Sequence, residues 1–237
     1  MDDVIVVEIR GRLHSLGDAQ KAQFLKGFFK TGPGEYAEGD IFLGIRVPEV
    51  RKLTREYRTL TAGGVVPLLR SPFHEERLFA LLVFVREFSH GDGRAREEIY
   101  GLYRENMKFV NNWDLVDLSA PPIVGGFLED RNGDSLYRLA ESPVLWERRI
   151  AIMATFHFIR LRRFADTLKI AKILLNDRED LIHKAVGWML REVGKRDAEC
   201  EESFLKEHYR EMPRTMLRYA IEKFPPSRRR MYLDGSI

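Results

Sequence analysis

The chain has 237 residues, 44% of them hydrophobic and 32% charged, which is enough to bury a full core and typical of a globular protein rather than a disordered or fibrous one. Its single cysteine, Cys200, excludes an intrachain disulfide and a thiolate metal cluster, and its six scattered histidines include no i,i+4 pair, so neither a metal nor any other cofactor is expected. The net charge of +3 conceals two basic stretches, 147–172 and 210–230, each with seven Lys/Arg against two Asp/Glu; on an otherwise acidic chain they point to a polyanion-binding face.

The segment MDDVIVVEIR is acidic, and its apolar run breaks at Glu8, unlike a secretory leader. No stretch approaches the roughly 18 apolar residues that span a bilayer, so a cytoplasmic protein without membrane contact is expected. Helical periodicity then recurs in blocks, and strand signals are nearly absent. In 74–88 the apolar positions are Leu78, Leu81, Leu82 and Val85. Over 146–160 they are Ile150, Met153, Ala154, Phe156 and Phe158, and over 180–195 Ile182, Val186, Met189, Leu190 and Val193. Breakers lie between the blocks: TGPGE (31–35), TAGG (61–64), HGDG (90–93) and RNGD (131–134).

Arg77, Trp113, Arg149 and Lys184 each stand near the start of an apolar helix, separated by 36, 36 and 35 residues. A constant period of this size, with room for two helices and no strand, predicts an all-α helical-repeat superhelix (a solenoid) of HEAT-like units. The expected organisation is one domain over 1–237 with a short basic C-terminal tail from about 225. Equivalent positions of successive repeats align along one face, so these four residues are expected to form a row suited to duplex DNA.

The least ordinary segment is NNWDLVDLSAPP (111–122). Trp113 and Asp117 are i,i+4 and share a helix face, and Pro121 and Pro122 are expected to end or kink that helix. Lys184 and Trp188 repeat the i,i+4 pairing. Two tryptophans, a carboxylate and Arg149 thus share a register within the repeat.

WDLVD (113–117), ERRIAI (147–152) and KAVGWMLRE (184–192), with IFLGIRVPEVRKL (41–53) upstream, together resemble the AlkD-like bacterial DNA alkylation repair glycosylases over roughly 18–223. The resemblance implies a HEAT-like superhelix with a basic face for double-stranded DNA, and action without a base-binding pocket. It places the catalytic carboxylate on Asp117, with Trp113 and Trp188 as aromatic walls. The DNA-binding residues would be Arg149 and Arg148, Lys184, Arg191 and Arg77, with Arg214 and Arg218 in the second basic stretch. Tyr36 sits one residue out of step with the family's tyrosine ahead of the Leu-Gly-Ile stretch.

The chemistry implied is removal of N3- and N7-alkylated purines, whose positive charge already makes them good leaving groups. A carboxylate then needs only to stabilise the sugar cation and position a water. Tryptophan faces near a cation contribute about 0.5–2 kcal/mol each. No lysine stands beside Asp117 in sequence, which fits a monofunctional hydrolase, and an open groove suits a monomer. Two other uses of such a chain are a non-catalytic helical-repeat protein binding damaged or branched DNA, and a protein-binding scaffold.

Overall fold

A computed structural model describes residues 2–131 and 133–237, without the side chains of residues 2 and 3; Met1, and Asn132 of the RNGD breaker, lie outside the described residues. Among the described residues the chain is helical, with one isolated parallel bridge between Ile41 and Phe73 and no strand. The all-α class expected from the periodicity is what forms. Two compact units divide the chain, Met1–Ile123 and Val124–Ile237.

In the first unit the His74–His90 helix is central. The Val47–Glu56, Gly93–Glu105 and Trp113–Ser119 helices all pack on it. The expected stripe of Leu78, Leu81, Leu82 and Val85 understates this helix, because every residue from His74 to Phe84 is buried while Val85 is only half-buried. Burial all round means that its first turn, His74, Glu75, Glu76 and Arg77, carries charged groups into the interior. Each such group needs a partner, since an unpaired buried charge is strongly destabilising.

Side-chain caps fix several helix starts. Asp18 accepts from Lys21 N, Asp92 from Ala95 N and Asn112 from Trp113 N, satisfying amides that the first turn leaves open. The Pro121–Pro122 pair does not end its helix. Beyond Ser119 the chain widens into a π-helical segment, Ala120–Gly125, and returns to α-helix over Gly126–Leu128. Proline has no N–H and clashes with the carbonyl four residues back; wider winding absorbs both effects.

The second unit alternates two layers. The Leu145–Arg160, Asp180–Gly194 and Arg214–Ala220 helices pack one on the next, while Asp134–Ala140, Ala165–Ile173 and Ala198–His208 alternate with them along the chain. Starts at 145, 180 and 214 keep nearly the expected period. The stripe Ile182, Val186, Met189, Leu190 and Val193 is fully buried, as its spacing requires. Gly187 has a separate reason: a Cβ there would stand 2.3 Å from the Met216 carbonyl oxygen and 2.6 Å from Tyr219 Cβ. Only glycine lets these two helices approach so closely. From about 225 the basic stretch forms a helix, Pro226–Asp234, whose Tyr232 is 1% exposed.

Candidate active site

Trp113 opens the Trp113–Ser119 helix, half-buried, its ring stacked on Phe29 at 5.3 Å between centroids and edge-on to Phe28 at 6.2 Å. Asp114 follows, and both its oxygens are engaged: Oδ2 accepts from His74 Nε2 at 2.8 Å and Oδ1 from Leu115 N at 2.9 Å. One turn after Trp113, Asp117 is half-buried. Of the two acids of WDLVD, Asp114 is thus bound to a buried histidine at the start of the helix, and Asp117 stands one turn further on.

His74 is the hub of a charge network that sequence spacing did not reveal. Its Nδ1 faces Asp40 Oδ2 at 3.4 Å, Asp40 Oδ1 accepts from Arg77 Nη2 at 2.7 Å, and Asn112 Nδ2 donates to Asp40 at 3.2 Å. Burial opposes the imidazolium, but Asp114 and Asp40 outweigh it and raise the His74 pKa to about 9. Burial likewise pulls Asp40 upward, yet His74, Arg77 and Asn112 hold it below the ordinary carboxylate range. Behind the helix, Tyr103 is completely buried and shares a 3.0 Å hydrogen bond with Ser119; burial raises its pKa, and the charge of Asp117 adds to the rise.

An apolar cleft of about 700 Å³ lies in the first unit, bounded by Phe24, Phe28, Phe29, Phe42, His74 and Trp113. Phe24 is 70% and Phe28 55% exposed. The sequence gives no sign of such an enclosure, because it is assembled from four separate segments. Its floor is the 42–45 loop, wrapped around the Glu75 carboxylate, which accepts from the amides of Leu43, Gly44 and Ile45 at 2.8, 2.8 and 3.1 Å. Gly44 takes φ +83°, and a Cβ there would lie 2.2 Å from the Asp18 carbonyl oxygen. Loop and helix start therefore meet at this residue.

The arginines divide by exposure. Arg77, expected at DNA, is 3% exposed; besides Asp40 it donates to the carbonyls of Ser71 and Pro72 at 3.0 and 3.1 Å. That occupation takes it out of reach of a phosphate. Arg148 does the same work in the second unit: it bonds Asp177 at 2.6 Å and the carbonyls of Ser142 and Pro143, both at 3.0 Å. His183 continues the device with 2.6 Å to the Asp177 carbonyl. Arg77 is thus the counterpart of Arg148, one residue off the expected register with Arg149. A signal for this stands in the sequence: Ser-Pro-x-x-x-Glu-Arg occurs at 71–77 and again at 142–148.

Arg149 is 5% exposed and donates to the Leu181 carbonyl at 2.5 Å, so its guanidinium is packed in the second unit. Trp188 is half-buried 6.2 Å from Phe156, itself half-buried rather than in the core and topped by Arg160 at 4.4 Å. Lys184 pairs with Asp180 at 2.7 Å with 41% of its side chain exposed. Arg191 is bound to Glu222, Arg214 donates to the Leu233 carbonyl at 2.5 Å, and Arg218 is exposed. Tyr36 is half-buried. No cluster of three metal-ligating side chains occurs among the described residues, and no helix there is long and apolar enough to cross a membrane.

Known proteins bear on the same residues. A solved structure described as a predicted DNA alkylation repair enzyme from Enterococcus faecalis matches with a TM-score of 0.67 at 16% identity, over 89% of this chain and 97% of that one, which speaks for the fold. No curated protein matches in sequence. The model of the DNA alkylation repair enzyme family matches residues 9–224, a span holding every residue described above from Asp18 to Arg218, and the chain belongs to that family.

Proposed function

We propose that the protein is a monofunctional DNA glycosylase that hydrolyses the N-glycosidic bond of N3- and N7-alkylated purines in double-stranded DNA. The observation that carries this reading is the unequal treatment of the two acids on the Trp113–Ser119 helix. Asp114 is committed to an imidazolium at 2.8 Å. Asp117, half-buried one turn from the indole of Trp113 and matching the family's catalytic acid by resemblance, is assigned the chemistry. An ionised carboxylate there stabilises the sugar cation that develops as the bond breaks and orients the attacking water. A leaving base that is already cationic needs no general acid. Trp113 offers a ring face to the cationic base or sugar.

Affinity for the duplex is assigned to the basic groups with exposed heads, Lys184, Arg214 and Arg218, with Arg191 beside them; phosphate contacts of this kind are independent of sequence. Arg149 and Arg148 act on the DNA through the helix start that they hold in place. The deciding experiment is base release from randomly methylated duplex DNA, with products separated chromatographically. Release of N3-methyladenine or N7-methylguanine, with uracil and hypoxanthine left in place, is expected. Efficient removal of uracil or hypoxanthine would overturn the mechanism, since neutral bases require the protonation that this site does not provide.

A further inference from the structure

A hollow of about 420 Å³ lies wholly in the second unit, where the start of the Arg214–Ala220 helix meets the last helix, Pro226–Asp234. Arg214, Pro226, Arg229, Arg230, Leu233 and Asp234 line it. Pro226, Arg229, Arg230 and Leu233 are spaced as one face of a helix, so that face of the last helix and Arg214 share the hollow. The match to the family ends at residue 224, before this helix begins, and every lining residue except Arg214 stands beyond it.

The last helix is anchored to the fold. Its buried Tyr232 lies edge-on to Tyr209 at 5.5 Å and to Phe224 at 5.8 Å, and donates to Glu202 at 3.2 Å. Arg214 Nη1 donates to the Leu233 carbonyl at 2.5 Å and ties the two helices together. The charges on this helix run against its dipole. Arg228, Arg229 and Arg230 follow directly on Pro226 and Ser227, the first turn holds no acid, and Pro225 gives no side-chain cap. Cations at the positive end of a helix are unfavourable, and that end attracts anions. Of these three arginines, only Arg228 is compensated by an ion pair, with Glu202.

Arg214 and Arg230 are exposed and Arg229 is half-buried. Among the described residues none of the three is in an ion pair, and the acceptor of Arg214 is a neutral carbonyl. Asp234 is the acid of the wall. Its Oδ1 accepts from Ser236 N at 3.2 Å and Ser236 Oγ at 2.7 Å; these bonds hold its carboxyl below the ordinary range, and the charge of Arg230 adds to the fall. Three guanidiniums against one carboxylate leave an excess of two positive charges around one hollow. We propose that this hollow binds a phosphate group, either on a DNA strand or as a free anion. One guanidinium fork fills the two oxygens of a carboxylate, whereas the oxygens of a phosphate are shared among several arginines. Neither Asp117 nor a damaged base takes part, so the site stands whether or not the protein releases bases.

Two measurements on the full chain test this: calorimetric titration with inorganic phosphate, with acetate as the carboxylate control, and binding of an undamaged blunt duplex over a range of salt. Arg229→Gln and Arg230→Gln are compared with Arg138→Gln, which removes the same charge from an exposed position on the Asp134–Ala140 helix. Phosphate should bind more tightly than acetate, and Arg229→Gln or Arg230→Gln should weaken it about tenfold while Arg138→Gln does not. A slope of log K against log salt lowered by about one in each of the two variants, with or without measurable binding of inorganic phosphate, places the phosphate on a strand. A tenfold loss of phosphate affinity with an unchanged slope makes it a free anion. Circular dichroism checks that the variants are folded, and Arg230→Gln, at an exposed side chain, carries the test by itself if Arg229→Gln is not. The proposal is overturned if neither phosphate affinity nor the duplex slope responds to these two substitutions, if Arg138→Gln produces the same losses, or if acetate binds as tightly as phosphate.

Discussion

Replacing His74 by glutamine removes one titrating group from the centre of the first unit while leaving a side chain able to bridge Asp114 and Asp40. The protonated imidazole is 2% exposed as a residue and touches both carboxylates, so bulk water screens little of the interaction. Its pKa is raised from 6.5 to about 9 on folding. A raised base stabilises the fold fully below the unfolded pKa of 6.5 and loses that contribution as pH climbs through the folded value. At about 1.4 kcal/mol per pH unit the gap corresponds to about 3 kcal/mol. Urea unfolding of wild type and His74→Gln, at intervals from pH 6 to pH 10, measures it. The wild-type advantage should be greatest at pH 6 and shrink by about 3 kcal/mol by pH 10, mostly between 6.5 and 9. An advantage that stays constant over that window would mean that His74 is neutral in the fold and that the network holds no buried imidazolium.

Asp117→Asn should keep its fold and duplex affinity but lose base release by about two orders of magnitude or more, the usual cost of removing a positioned charged group; a near-wild-type rate in single-turnover assays refutes the assignment. Lys184→Gln and Arg218→Gln should each reduce the slope of log K against log salt for undamaged duplex by about one, and an unchanged slope places that residue away from the phosphates. Gly187→Ala should destabilise the second unit by about 1–3 kcal/mol, because a methyl 2.3 Å from the Met216 carbonyl oxygen forces two helices apart. A thermal melt like that of wild type would show that the two helices are free to separate.

The helices of the second unit were legible because their signal is local: apolar residues three and four apart, over 180–195 above all, report a buried face without reference to the rest of the chain. The period carried over for the same reason. What escaped was whatever depends on partners far along the sequence. Arg77 has the same local pattern as a DNA-facing arginine, yet Asp40, 37 residues earlier, holds it inside. Phe156 reads as core by spacing and lies half-buried under Arg160. The aromatic cleft was invisible because Phe24, Phe42, His74 and Trp113 stand in different segments. The double proline predicted an end or a kink; a π-wound stretch absorbs it, and proline chemistry alone does not distinguish these outcomes.

The network around His74 also bears on how the first unit comes apart in time. Its bonds join residues 37, 40 and 72 positions apart, so the network is complete only when three separate stretches of chain have met. Their charges are stripped of water only when the aromatic layer closes over them. Interactions that form after the folding transition state put their strength into the escape rate rather than the rate of assembly. The buried ions therefore act as a latch, setting how long the first unit stays shut once folded and leaving the speed at which it folds to the helices around it.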